Sequence, residues 1–217
     1  MNVEEARQNM ITQQVRAWDV VDDEVLGLLS IVKREEFVPS AYRELAFADM
    51  NTPIGENQVM FTPKEEGKIL QALQVLPTET VLVVGTGSGY LSALIAKQAN
   101  HVYSVDILPS MTELAEVNLA KAKLDNVTLQ TGDASRAWSA HAPYDIIVIT
   151  GSLPKLPVEF TKELNVGGRI FAIVGEAPSM KAMLWERQSR EKWASKQVYE
   201  TDLPRLYNAV EMRPFLF

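Results

Sequence analysis

The chain has 217 residues, 47% of them hydrophobic and 23% charged, which are the proportions of a globular protein with one core and a modest extension. Its net charge of −7 argues against binding a nucleic-acid backbone, and no apolar run nears the roughly 20 residues that cross a bilayer. With no cysteine and two histidines, disulfides and thiolate metal sites are excluded.

No metal site is therefore expected, and neither nucleic acid nor membrane is expected as a partner. A reducing, cytoplasmic setting suits the composition, because the acidic start Met1-Asn2-Val3-Glu4-Glu5 carries no apolar signal core. His101 and His141 have no partner at metal-ligand spacing and read as surface or loop residues. Two short basic clusters, Lys33-Arg34 and the stretch from Arg187 to Lys192, are interrupted by Glu and Ser and read as solvated surface.

In chain order, residues 1–50 read as helical, with apolar positions at helical spacing. Val25, Leu26, Leu28, Leu29, Ile31 and Val32 form an apolar helix with Asp22 and Asp23 as candidate caps, ended by Phe37-Val38-Pro39. Residues 41–47 form another short helical stretch. Residues 52–58 cluster Pro, Gly and Asn and are expected as a loop. A helix follows over 63–76, with Pro63 in its first turn, where a missing N–H is harmless.

From residue 80 the pattern changes. Val81-Leu82-Val83-Val84 is an apolar run without alternation, as expected for a parallel strand buried on both faces. It leads through Gly85-Thr86-Gly87-Ser88-Gly89 into a helix over 90–98. Further strands are predicted over 101–105, 127–130, 144–150 and 169–174, with helices over 110–124 and 158–164 between them. This alternation with short connections describes an α/β fold with a doubly wound, mostly parallel sheet. Two or three β-like stretches after Met183 are expected to close the sheet with antiparallel strands. The whole reads as one domain over 1–217: an N-terminal helical and loop extension (1–76), a nucleotide-binding core (77–176) and a C-terminal β closure (177–217).

Three features point to chemistry. The glycine run lets the backbone turn sharply and approach a ligand with no Cβ in the way, in front of a helix N-terminus. Asp106 ends the second strand, where a carboxylate can accept hydrogen bonds from both hydroxyls of a ribose. Asp133 follows Gly132 at the end of the third strand, within reach of an adenine edge. Each acid could instead cap the turn that follows it, but both fall at strand tips on the ligand side of an open sheet. An NAD-dependent oxidoreductase would need a substrate domain beyond this unit, and only about 40 residues remain after the fifth strand. A Rossmann-like S-adenosylmethionine-dependent methyltransferase fits better. Its cofactor-binding residues would be Gly85, Thr86, Gly87, Ser88, Gly89, Asp106, Ile107, Asp133 and Ala134.

The motifs also resemble those of the protein-L-isoaspartate O-methyltransferases, over roughly residues 4–176. The likeness rests on Arg34-Glu35-Glu36-Phe37-Val38-Pro39, Ala46-Phe47-Ala48-Asp49, Pro53-Ile54-Gly55 with Gln58, and Gly85-Thr86-Gly87-Ser88-Gly89-Tyr90. It continues through Asn126-Val127-Thr128, Gly132-Asp133, Ala142-Pro143-Tyr144-Asp145 and Gly167-Gly168-Arg169, with Val174-Gly175 beyond. The resemblance implies transfer of a methyl group from S-adenosyl-L-methionine to the α-carboxylate of an L-isoaspartyl residue in damaged protein, with S-adenosyl-L-homocysteine as the product. It also implies a substrate loop built from Pro53, Ile54, Gly55, Gln58, Val59, Met60 and Phe61.

The chain departs from the family pattern in three places. Where the family carries Thr-Ile-Ser after the shared Gln, with the serine hydroxyl helping to hold the substrate carboxylate, this chain has Val59-Met60-Phe61. Thr62, one place later, is then the candidate catalytic hydroxyl, although aligning it displaces the matching Pro63. Val83 stands where the family has an acid facing the amino-acid end of the cofactor. The tail from Asp202 to Phe217 lacks the Arg-Phe-Val-Pro-Leu-like ending of the family. These changes keep two alternatives open: a methyltransferase of the same fold acting on a more apolar, small-molecule acceptor, and a noncatalytic cofactor-binding homologue.

Overall fold

The structure, a computed structural model, describes residues 2–210. The N-terminal region opens with α1 (Val3–Asn9), which passes through tighter and wider helical turns into α2 (Asp23–Ile31). Asp22 caps α2, its carboxylate accepting from the Glu24 and Val25 N–H groups, so one of the two candidate caps does the work. The helix ends at Ile31 rather than at Phe37-Val38-Pro39, because Val32 turns extended and its carbonyl accepts from the Tyr90 hydroxyl.

Residues 52–58, expected as a loop, contain a short hairpin of β1 (Pro53–Gly55) and β2 (Gln58–Val59). Glu56 and Asn57 at its tip both have positive φ, 51° and 56°, the two-residue turn whose twist matches a hairpin. Helix α3 (Pro63–Leu73) follows, with Thr62 and Glu65 forming a capping box.

Next come β3 (Thr80–Val84), α4 (Tyr90–Ala96), β4 (His101–Asp106), α5 (Pro109–Lys121), β5 (Val127–Thr131), β6 (Tyr144–Leu153), α6 (Val158–Lys162), β7 (Leu164–Glu176), β8 (Ser179–Arg187) and β9 (Trp193–Thr201). They build a seven-stranded sheet of order β5-β4-β3-β6-β7-β8-β9, parallel from β5 to β7, with β8 antiparallel to β7 and β9 antiparallel to β8. This is the mostly parallel, doubly wound sheet with an antiparallel C-terminal closure expected from the pattern. Any third β stretch in the tail would lie at residues 211–217, outside the described residues. Strand β7 starts five residues before its apolar run, because Tyr144 already pairs with Leu164 across a register shift.

Both faces of the sheet are covered. Val81 and Val83 of β3 pack with α3 and α4 residues such as Ile69, Leu70 and Leu94, while Leu82 and Val84 pack with Tyr144, Ile147 and Phe160 on the other side. The chain winds β3-β4-β5 to one side and then crosses to β6 on the other. The carboxyl ends of β3 and β6 therefore flank the point where strand order reverses, the place where such sheets hold ligands.

Candidate active site

At that point β3 runs into the glycine turn. Gly85 has φ +91°, and a Cβ on it would lie 2.1 Å from Thr150 Oγ1. The Thr150 hydroxyl reaches across from β6 to the Val84 and Gly85 carbonyls at 3.1 and 2.9 Å, so only glycine fits between the two strands. Gly87, at φ +54°, passes close under the hairpin, and a Cβ there would meet Ile54 Cδ1 at 3.1 Å. Gly89 faces away from the cleft, towards Ala115 of α5. Its role is close helix packing rather than ligand contact.

The turn is held from below. The Thr86 and Ser92 hydroxyls both meet Ser104 Oγ, at 2.8 and 3.0 Å, and Asn118 of α5 donates to the Ser88 carbonyl. Asp106, at the tip of β4, accepts from the Gly87 N–H and the Leu108 N–H, each at 3.0 Å. A carboxylate offers about four acceptor directions, so two remain for a ligand. Asp133 accepts from the Ser135 N–H and from Asn208 Nδ2, at 2.9 and 2.8 Å. The Ser135 contact in particular holds its carboxyl below the ordinary range.

These residues border an open cleft with two connected chambers. The first, with about 620 Å³ of free space, lies between the hairpin, the glycine turn and the C-terminal segment; Ile54, Met60, Phe61 and Leu203 give it an apolar wall. The second, of about 440 Å³, is bordered by Ile107, Asp133, Ala134 and Tyr207. Gln58, Gly85, Asp106, Thr150 and Gly151 line both. The expected residues therefore converge, with three exceptions besides Gly89. Pro53 and Gly55 frame the hairpin without lining the cleft, and Thr62 sits at the helix cap. Its Oγ1 accepts from the Glu65 N–H at 3.4 Å, and Thr62 is not among the lining residues. Phe61 lines the wall, 7% exposed.

Three contributors lie outside the expected site residues. The first is Arg34, which opens a family motif yet also falls in a basic cluster expected at the solvated surface. Its side chain is fully buried, donating from Nε to the Ala46 carbonyl at 2.8 Å and from Nη2 to the Phe61 carbonyl at 2.7 Å, and from Nη1 to both carboxylate oxygens of Glu66. The guanidinium was pulled inward by backbone carbonyls that only the folded loop presents. The second is Glu66 itself, 2% exposed, which lines the first chamber. Burial pushes its carboxyl up to about 7 against the pull of Arg34. A signal for it existed: Glu66 continues the helical stripe of Ile69, Leu70 and Leu73 that faces the core. The third is the segment 203–207, bound by Ser152 N–H to the Pro204 carbonyl, Leu206 N–H to the Ser152 carbonyl and Ser152 Oγ to the Leu203 carbonyl. It lies so close to Gly151 that a Cβ there would meet Leu206 Cα at 2.8 Å.

Among the described residues, no group of three or more His, Cys, Asp or Glu could hold a metal ion, and no helix is long and apolar enough to cross a membrane. His101 bonds Thr128, and His141 stacks on Tyr103.

A doubly wound sheet with a glycine turn after its central strand and an acid at the neighbouring tip defines the class: a Rossmann-like methyltransferase fold. The chain belongs to the protein-L-isoaspartate(D-aspartate) O-methyltransferase family, whose profile matches residues 5–204. It is similar to the protein-L-isoaspartate O-methyltransferase of Protochlamydia amoebophila, with 36% identity over 84% of this chain and 86% of that one. A second enzyme of that name from Pelobacter propionicus is 34% identical over 88% of this chain and 84% of its own. In structure the chain resembles a Plasmodium falciparum protein described as a protein-L-isoaspartate O-methyltransferase in complex with S-adenosyl-L-homocysteine, with TM-score 0.79 and 16% identity over 95% of this chain and 98% of that one. Another protein-L-isoaspartate O-methyltransferase aligns with TM-score 0.78 and 19% identity over 92% of this chain, which spans 65% of that protein.

Proposed function

We propose that this chain methylates the α-carboxylate of L-isoaspartyl residues in damaged protein, using S-adenosyl-L-methionine. Family membership supports the reaction. The observation that carries the site is Asp106, which lines the cleft beside the glycine turn with two acceptor directions free for the hydroxyls of a ribose. Ile107, Asp133 and Ala134 would enclose the adenine in the second chamber. The cysteine-free composition suits a cytoplasmic protein.

When bound, the cofactor supplies an activated methyl on a sulfonium, and its transfer to a carboxylate oxygen leaves S-adenosyl-L-homocysteine. A carboxylate is already ionised at neutral pH, so the protein needs no strong base and no metal. Its task is to position the acceptor, and good alignment supplies up to roughly 7–11 kcal/mol of barrier lowering. Ile54, Met60 and Phe61, which line the first chamber, would shield the methyl group from water on that side. Asp106→Ala is expected to weaken S-adenosyl-L-homocysteine binding by about 1–3 kcal/mol, roughly 5- to 150-fold in Kd. A calorimetric Kd equal to that of the parent would remove Asp106 from the site.

The apolar wall of the first chamber favours a second reading, a methyltransferase acting on a more apolar small-molecule acceptor. An assay with an isoaspartyl peptide and labelled cofactor separates the two. Methyl transfer well above that to the matching aspartyl peptide supports repair; none, with the cofactor tightly bound, supports the second reading. Phe61→Ser is expected to raise transfer to the isoaspartyl peptide, because Arg34 holds the Phe61 carbonyl and keeps the main chain in place while the ring is replaced by a hydroxyl. No gain, with cofactor binding intact, would show that residue 61 does not face the acceptor.

A further inference from the structure

We infer that Glu66 is the group that receives the ammonium of the cofactor's methionine half. The inference rests on the cleft being the cofactor's. S-adenosyl-L-methionine carries a sulfonium and, a few atoms away, an ammonium, so a site for it gains from a carboxylate beyond the one at the sugar. Two acids line the first chamber, Asp106 and Glu66. Asp106 belongs to both chambers, whereas Glu66 approaches the first alone, from α3.

The state of Glu66 suits that task. Its carboxylate is almost wholly buried, and the side-chain partner of both oxygens is Nη1 of Arg34. With roughly four acceptor directions on a carboxylate, room remains for a second cationic donor. The rest of the Arg34 guanidinium is committed to the Ala46 and Phe61 carbonyls, which fixes the acid in place. A buried carboxylate is expensive to keep charged, and burial raises its proton affinity here despite Arg34; a second cation offsets that penalty. Residue 83 offers no alternative, since Val83 is buried in the same apolar cluster as Phe61, Ile69 and Leu70. Of the two positions, only residue 66, on α3, carries an acid.

Calorimetry with three probes tests the assignment: S-adenosyl-L-homocysteine, its analogue with the amino group replaced by hydrogen, and 5′-methylthioadenosine, which lacks the amino-acid half. The parent protein is expected to prefer S-adenosyl-L-homocysteine over the deaminated analogue. In Glu66→Gln that preference should collapse, with S-adenosyl-L-homocysteine weakened roughly 10- to 100-fold and 5′-methylthioadenosine unchanged. Should Glu66→Gln unfold, the double variant Arg34→Met/Glu66→Leu replaces the ion pair with an apolar one of similar size and is expected to show the same pattern. Equal weakening of all three probes, or a preference that survives either variant, overturns the role of Glu66. If the parent binds 5′-methylthioadenosine but does not distinguish the amino group, Glu66 alone loses its role. If it binds none of the three, the cofactor reading of the cleft fails too.

Discussion

Replacing Arg34 with Met is expected to lower stability by about 3–5 kcal/mol, the cost of leaving one member of a buried ion pair alone. Arg34 is fully buried and joins three parts of the chain: the Ala46 carbonyl, the Phe61 carbonyl below the hairpin, and Glu66 on α3. Met fills much of the volume, so the loss comes from the stranded carboxylate and two unsatisfied carbonyls rather than from a cavity. Adding Glu66→Leu should recover most of it, because an apolar pair in place of a buried ion pair is often neutral or better. Urea unfolding of the two single variants and the double variant gives the coupling directly. A full-strength loss that Glu66→Leu does not relieve would show that Arg34 stabilises through the carbonyls alone.

The pH dependence has a definite sign. Burial raises the Glu66 carboxyl from its ordinary 4.5 to about 7, so the fold favours its protonated form. That contribution is fully present below the unfolded value and is lost as pH rises through the folded one. Arg34→Met removes the charge that pulls the value down and raises it further. The penalty should therefore stay small up to about pH 7, where Glu66 is protonated in both folded proteins, and grow as the pH rises above it. A flat profile above pH 7 would mean that Arg34 does not set the Glu66 titration.

Gly85→Ala should be comparably damaging, by about 2–6 kcal/mol. Two independent effects add. The residue has φ +91°, a conformation that is strained for an L side chain by about 1–3 kcal/mol. Its new Cβ would also lie 2.1 Å from Thr150 Oγ1, and that hydroxyl is held by the Val84 and Gly85 carbonyls, so overpacking adds about 1–3 kcal/mol. Thr150→Ala in the same background removes the clash and leaves the strain, so it should restore part of the loss but not all. Thermal unfolding of the four proteins in the cycle separates the terms. A Gly85→Ala protein as stable as the parent would mean that β3 and β6 can part at their tips.

The sheet was legible because its rule is local. Short apolar runs without alternation, each followed by a helical stretch, describe strands covered on both faces, and β3, β4, β5 and β6 form within a few residues of those runs. The glycine turn and the acids Asp106 and Asp133 were legible from position, since the carboxyl ends of parallel strands form the ligand edge of such a sheet. The hairpin at residues 53–59 was not legible, because Asn57 suits the positive φ of its turn but Glu56, which shares it, is a residue that rarely adopts it.

Patterns within about ten residues dictate the winding of the sheet, the turn after β3 and the acids at the tips. Which charges go inside depends on the folded chain alone. Arg34 and Lys33 are neighbours with the same charge, yet Lys33 remains exposed and Arg34 is fully buried, because the Ala46 and Phe61 carbonyls and the Glu66 carboxylate meet at one point. The wall of the cleft was settled in the same way, when Leu203 and Pro204 arrived beside Phe61 from the far end of the chain. Burying a charge depends on partners distant in sequence, and no local pattern carries that information.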